Sequence, residues 1–108
     1  MATTDLALER GLPSNIDAER LVLGAILMDD SNYVQVAGLL DPEDFSLEKH
    51  RRIFLRMGEL QARGESIDRV TVANELMRHG QLESCDGLTY LMSLDNGLPQ
   101  IFAVESYI

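Results

Sequence analysis

The chain has 108 residues, 45% of them hydrophobic, and a formal net charge of -9. That is enough apolar material for one domain with one core, and too much for disorder throughout. The negative field argues against strong direct binding to nucleic acid, which depends on neutralising phosphates, and favours a basic partner protein.

No apolar run is long enough to span a bilayer, and Met1 to Arg10 lack the basic-then-apolar layout of a signal peptide. The chain is therefore read as cytoplasmic, with no membrane contact. A single cysteine, Cys85, excludes an internal disulfide and a thiolate zinc cluster.

Residues 1–13 have no sustained period and read as a mobile N-terminal arm. Ser14 and Asn15 are good N-caps for a first helix from about Ile16 to about Met28. Ile16, Val22, Leu23, Ile26 and Leu27 form one apolar face, and Leu21, Ala25 and Met28 a second. A helix apolar on both sides is central to its domain. Gly24 costs roughly 1 kcal/mol of helix propensity, which close approach by a neighbouring helix would offset. Asp17 and Glu19 lie in the first turns and read as capping and structural pairing.

Asp29-Asp30-Ser31 breaks this helix and caps the next, from about Asn32 to about Leu40, with Tyr33, Val34, Val36, Ala37 and Leu40 as its apolar set. Asp41-Pro42 ends it. Pro42-Glu43-Asp44-Phe45 is a turn with Phe45 as a core plug. Ser46 is the expected cap of a third helix, about Leu47 to Ala62, closed by Gly64 in the left-handed position. Its stripe is Leu47, His50, Ile53, Phe54, Met57 and Leu60, with Arg52, Arg56, Glu59 and Arg63 opposite.

Asp68 caps a fourth helix carrying Val72, Ala73, Leu76 and Met77, and Gly80 closes it. Asp86-Gly87 leads into a fifth, about Leu88 to Leu94. Asp95-Asn96-Gly97 is a turn signal. A sixth helix starts near Ile101, with Val104, Tyr107 and Ile108, and stops mid-period, as in a piece cut from a longer protein. The expected fold is all-α: a compact bundle of about six helices, the last one truncated.

His50 has two readings. As a metal ligand or general base it would need a partner, and no second histidine or cysteine stands at ligand spacing. The favoured reading is a core histidine bonded to a carboxylate such as Glu19. Arg52, Arg56 and Arg63 share a face, either as a cationic strip for acidic partner groups or a passing DNA backbone, or as a solvated face partly compensated by Glu59. Tyr90 falls off the core stripe of its helix, as an interface aromatic or a half-buried rim residue. No catalytic, cofactor-binding or metal-binding set emerges.

Several phrases, taken in order, resemble the N-terminal domain of the DnaB-family replicative DNA helicases of bacteria. They are Pro13, Asp17-Ala18-Glu19 with Leu23-Gly24, Pro42-Glu43-Asp44-Phe45, His50 with Ile53-Phe54, Ile67-Asp68, Val70-Thr71, Gly80-Gln81-Leu82, Gly87, Tyr90-Leu91 and Pro99. The resemblance covers residues 12–108. It implies a helical collar domain over residues 14–108, in front of an absent ATP- and Mg2+-dependent motor. Such collars pair as dimers within a hexamer, dock primase and shape access for a helicase loader. Read residue by residue, Tyr90, Tyr107, Arg52, Arg56 and Arg63 are the candidate partner contacts. Tyr107 is also placed to pack, beside Val104 and Ile108, under the hairpin by which such collars pair. Asp17, Glu19, Gly24, Phe45, His50, Phe54 and Asp68 are read as structural residues.

Two positions depart from the family pattern. Ala103 stands where an asparagine cap is common, and Asp86-Gly87 where a glycine pair is common. None of the eight glycines is followed by lysine, so no phosphate-binding loop is present and this segment is not itself the ATPase. The parent would be. The alternative function is the helicase-binding domain of a primase, the other half of the same contact. The Asp17-Ala18-Glu19 and Ile67-Asp68 phrases favour the helicase side.

Overall fold

The computed structural model describes residues 15–94. The predicted arm (1–13), the Asp95-Asn96-Gly97 turn and the sixth helix, with Ala103 and Tyr107, lie outside these residues. Within them the chain is all-α, with no strand. The helices are α1 (Asn15–Met28), α2 (Asn32–Ala37), α3 (Glu48–Ala62), α4 (Arg69–Arg78) and α5 (Gly87–Leu94). Two 3-10 turns, Pro42–Asp44 and Glu83–Cys85, precede α3 and α5. None of these helices is long and apolar enough to cross a membrane.

The core forms around two helices. Val22 to Leu27 of α1 are buried in succession, including Gly24, so this segment is enclosed on all sides. α3 contacts α1, α2, α4 and both 3-10 turns. It buries His50, Ile53, Phe54, Met57 and Leu60 along the predicted stripe. Phe45 enters from the preceding turn, its ring centroid 5.0 Å from that of Phe54. Full burial of a side chain of this size stabilises by about 1.5–3 kcal/mol.

The helix ends follow local chemistry. Asp68 accepts from the Thr71 amide at 2.9 Å, and the Thr71 hydroxyl accepts from the Asp68 amide at 2.9 Å, a reciprocal cap for α4. Gly64 at φ +75° and Gly80 at φ +66° close α3 and α4. Where the chain enters α5 the backbone is left-handed twice, at Asp86 (φ 67°) and Gly87 (φ 73°). Cys85, just ahead of this reversal, is buried with its Sγ 3.8 Å from the Lys49 carbonyl.

Three expectations are corrected. α2 stops at Ala37 rather than near Leu40, because the Leu39 and Leu40 amides both turn back to the Val36 carbonyl. It buries Val36 and packs Tyr33 against the core, with the Tyr33 ring centroid 5.4 Å from that of Phe54, while Val34 and Ala37 of the predicted apolar set are exposed. Ser46 does not cap α3. Its amide donates to Glu19 Oε2 at 2.6 Å, and Leu47, with extended backbone, takes the N-cap position. Ile16 and Met28 are exposed because the ends of α1 project past the core.

Gly58, in the middle of α3, has a role that periodicity does not reveal. A Cβ there would lie 2.7 Å from the Tyr33 hydroxyl, while the next atom, Tyr33 Cζ, would be at an ordinary 3.7 Å. Alanine would gain up to about 1 kcal/mol of helix propensity, but overpacking costs about 1–3 kcal/mol. Gly58→Ala is expected to destabilise by about 1 kcal/mol in denaturant titration. Adding Tyr33→Phe should recover that loss, and a double mutant no better than the single would rule out the hydroxyl clash.

Candidate functional site

A polar cluster sits where α1, α3 and α5 meet. Glu19 comes from the second turn of α1, His50 from the first turn of α3 and Tyr90 from the middle of α5. Glu19 Oε1 lies 2.7 Å from His50 Nδ1, and the other carboxylate oxygen accepts the Ser46 amide. His50 Nε2 lies 2.7 Å from the Tyr90 hydroxyl. A carboxylate only accepts, so Nδ1 carries the proton and Nε2 accepts from Tyr90. Burial pushes the His50 pKa below the usual 6.5, against the pull of Glu19, and so favours the neutral ring.

Two cations flank the Tyr90 ring. Lys49 Nζ lies 3.9 Å from its centroid and pairs with Asp86 Oδ2 at 2.7 Å; the Arg20 guanidinium carbon lies 5.5 Å away. Burial raises the Tyr90 pKa, and both cations oppose the shift. Tyr90 is half-buried and packs against the core, with its hydroxyl bonded inward.

This arrangement holds a ring in place and offers no activated nucleophile. His50 has both nitrogens engaged, and Glu19 has both oxygens engaged. The favoured reading of His50, a core histidine bonded to Glu19, holds. The Lys49 and Asp86 contributions escaped the sequence reading. The available signal was that Lys49 is the one lysine in the chain and directly precedes His50.

The arginine face differs from a solvated strip. Arg56 is buried, with Nε 3.1 Å from Gln81 Oε1 and its guanidinium 2.7 Å from Glu59, because the segment after α4 folds over its stem. Arg52 bonds Ser84 and Glu48. Arg63 grips both oxygens of Glu75, at 2.8 and 3.1 Å, and also pairs with Glu65. Each of these three arginines thus has a carboxylate partner of its own. Asp17 stands in the first turn of α1 and Phe54 is buried beside Phe45.

Glu59, Glu75 and His79 form the one group among the described residues whose ligating atoms converge, all within 4.8 Å. His79 lies 3.6 Å from Glu59 and 3.5 Å from Glu75. Arg56, Arg63 and Arg78 already neutralise these carboxylates, so a dication would add charge to a balanced cluster.

The Arg63 fork holds the Glu75 carboxyl down to about 2 from the ordinary 4.5. The group ionises more readily folded than unfolded, so it stabilises the fold above its unfolded value. That contribution fades as pH falls from about 4.5 towards about 2. Thermal melts across this window should show the loss, and Glu75→Gln should flatten it. Identical pH profiles for the two proteins would reject the assignment.

Residues 11–108 match the family model described as the DnaB-like helicase N terminal domain. The chain is 40% identical over 104 residues to the replicative DNA helicase DnaB of Geobacillus stearothermophilus, covering 96% of this chain and 23% of that protein. It is 39% identical to the replicative DNA helicase DnaC of Bacillus subtilis, with the same coverage. The crystal structure of the N-terminal domain of DnaB helicase from Mycobacterium tuberculosis superimposes with a TM-score of 0.81 at 35% identity. It covers 85% of this chain and 64% of that one. The chain thus spans under a quarter of the length of these two full-length relatives. All these matches are to helicases, and the primase-side alternative is set aside.

Proposed function

This chain belongs to the family of DnaB-like helicase N-terminal domains, and from that membership we propose that it is the protein-docking and ring-organising module of a hexameric replicative helicase. It acts by binding rather than by bond-making. It pairs with other subunits in a collar, receives primase and leaves ATP and Mg2+ chemistry to a motor domain elsewhere in the parent protein. Docking on several collar domains at once raises the effective concentration of primase at the fork. Access for a helicase loader would be set by the same collar.

The observation that supports a docking role is the state of Tyr90. Its hydroxyl is anchored to His50 while the residue stays half-buried beside two cations. A rigid aromatic with a polar tip loses little entropy on contact, which is why tyrosine anchors interfaces. Tyr107, Arg52, Arg56 and Arg63 complete the proposed contact set. The internal ion pairs of the three arginines rank them below Tyr90.

In the intact protein that carries this chain, Tyr90→Ala should weaken primase binding about tenfold, the size expected for loss of an interface anchor. Primase stimulation should fall with it. Titration calorimetry with the primase C-terminal domain reads the first. Unchanged affinity would remove Tyr90 from the contact, and no binding even to the unmodified ring would end the docking role.

A further inference from the structure

Most cations among the described residues are matched. Arg52 pairs with Glu48, Arg56 with Glu59, Arg63 with Glu65 and Glu75, Arg78 with Glu75, and Lys49 with Asp86. Eighteen carboxylates are available to nine cations. Arg51 pairs with no carboxylate among the described residues and donates to the Phe45 and Ser46 carbonyls. Arg20 stands apart. No carboxylate pairs with it among the described residues, and its guanidinium lies over the Tyr90 ring.

The reason is local. Glu19, its neighbour in sequence, has one oxygen on the Ser46 amide and the other on His50. Asp86 holds Lys49. Both carboxylates of the cluster are therefore engaged. Among the described residues no buried side-chain nitrogen or oxygen lacks a partner, so the free Arg20 donors face solvent. A guanidinium carries five donors in a planar fork shaped for a carboxylate. Its guanidinium carbon lies 5.5 Å from the Tyr90 ring centroid, so the fork sits beside that aromatic.

We infer that Arg20 is a specificity-determining residue of the Tyr90 surface, and that it takes a carboxylate side chain of the docking protein. This inference rests on the docking role proposed above and adds a feature of the partner. An otherwise basic partner presents one Asp or Glu beside the group that packs on Tyr90. The pair forms at the rim, where charge acts chiefly on association rate and salt dependence.

The test uses the intact protein, the primase C-terminal domain and surface plasmon resonance at low and high salt. Arg20→Gln should slow association and raise Kd about tenfold at low salt, with the difference shrinking as salt rises. Arg20→Lys should recover part of the loss, because it restores charge without the fork. Circular dichroism melts confirm that each variant is folded. Unchanged Kd and association rate for Arg20→Gln, with Tyr90→Ala weakened, would overturn the inference and leave the docking role standing. A loss as large at high salt as at low would also overturn it, since that marks packing rather than charge. Unchanged binding by both variants would overturn the two proposals together.

Discussion

The Glu19 carboxylate ties together segments that apolar packing alone would leave free to slide. One oxygen holds the Ser46 amide, and with it the approach of the Phe45 plug. The other holds the His50 ring, which in turn holds the Tyr90 hydroxyl. Three helices and one turn are thus registered by a single buried-edge anion. Losing any member would leave a desolvated polar group without its partner, at about 1–3 kcal/mol. Hydrophobic burial gives the bundle its stability, while this chain of bonds selects one arrangement of it.

Much of the bundle was legible from short-range rules. The α3 stripe, the Phe45 plug, the Asp68 cap and the Gly64 and Gly80 closures all depend on residues within a few positions of one another. The structure agrees at each, save that Leu47 of the predicted stripe stands at the N-cap and is half-buried. The Glu19 to His50 bond was also readable, because a histidine on an apolar face needs a buried partner and few carboxylates lay on an inward-facing helix.

What was not legible depends on distant segments. Ser46 has the chemistry of a cap, but a carboxylate 27 positions earlier captures its amide. Arg56 belongs by period to a solvated face, and only the fold of Gln81 across its stem buries it. Gly58 looks like a helix-weakening residue until the Tyr33 hydroxyl is found over it. The Tyr90 anchor needed knowledge of how α5 packs on α1 and brings its hydroxyl to His50. Period assigns a residue to a side of its own helix and is silent about what the neighbouring segment brings.

The lone thiol of this chain offers a practical handle. Cys85 is fully enclosed, with its sulfur against the Lys49 carbonyl, and burial pushes its pKa up. Alkylating reagents attack the thiolate, so labelling at this position proceeds only through molecules that have opened around the start of α5. The rate of modification is therefore a built-in clock for local breathing next to Lys49 and Tyr90, readable by mass spectrometry without an introduced probe.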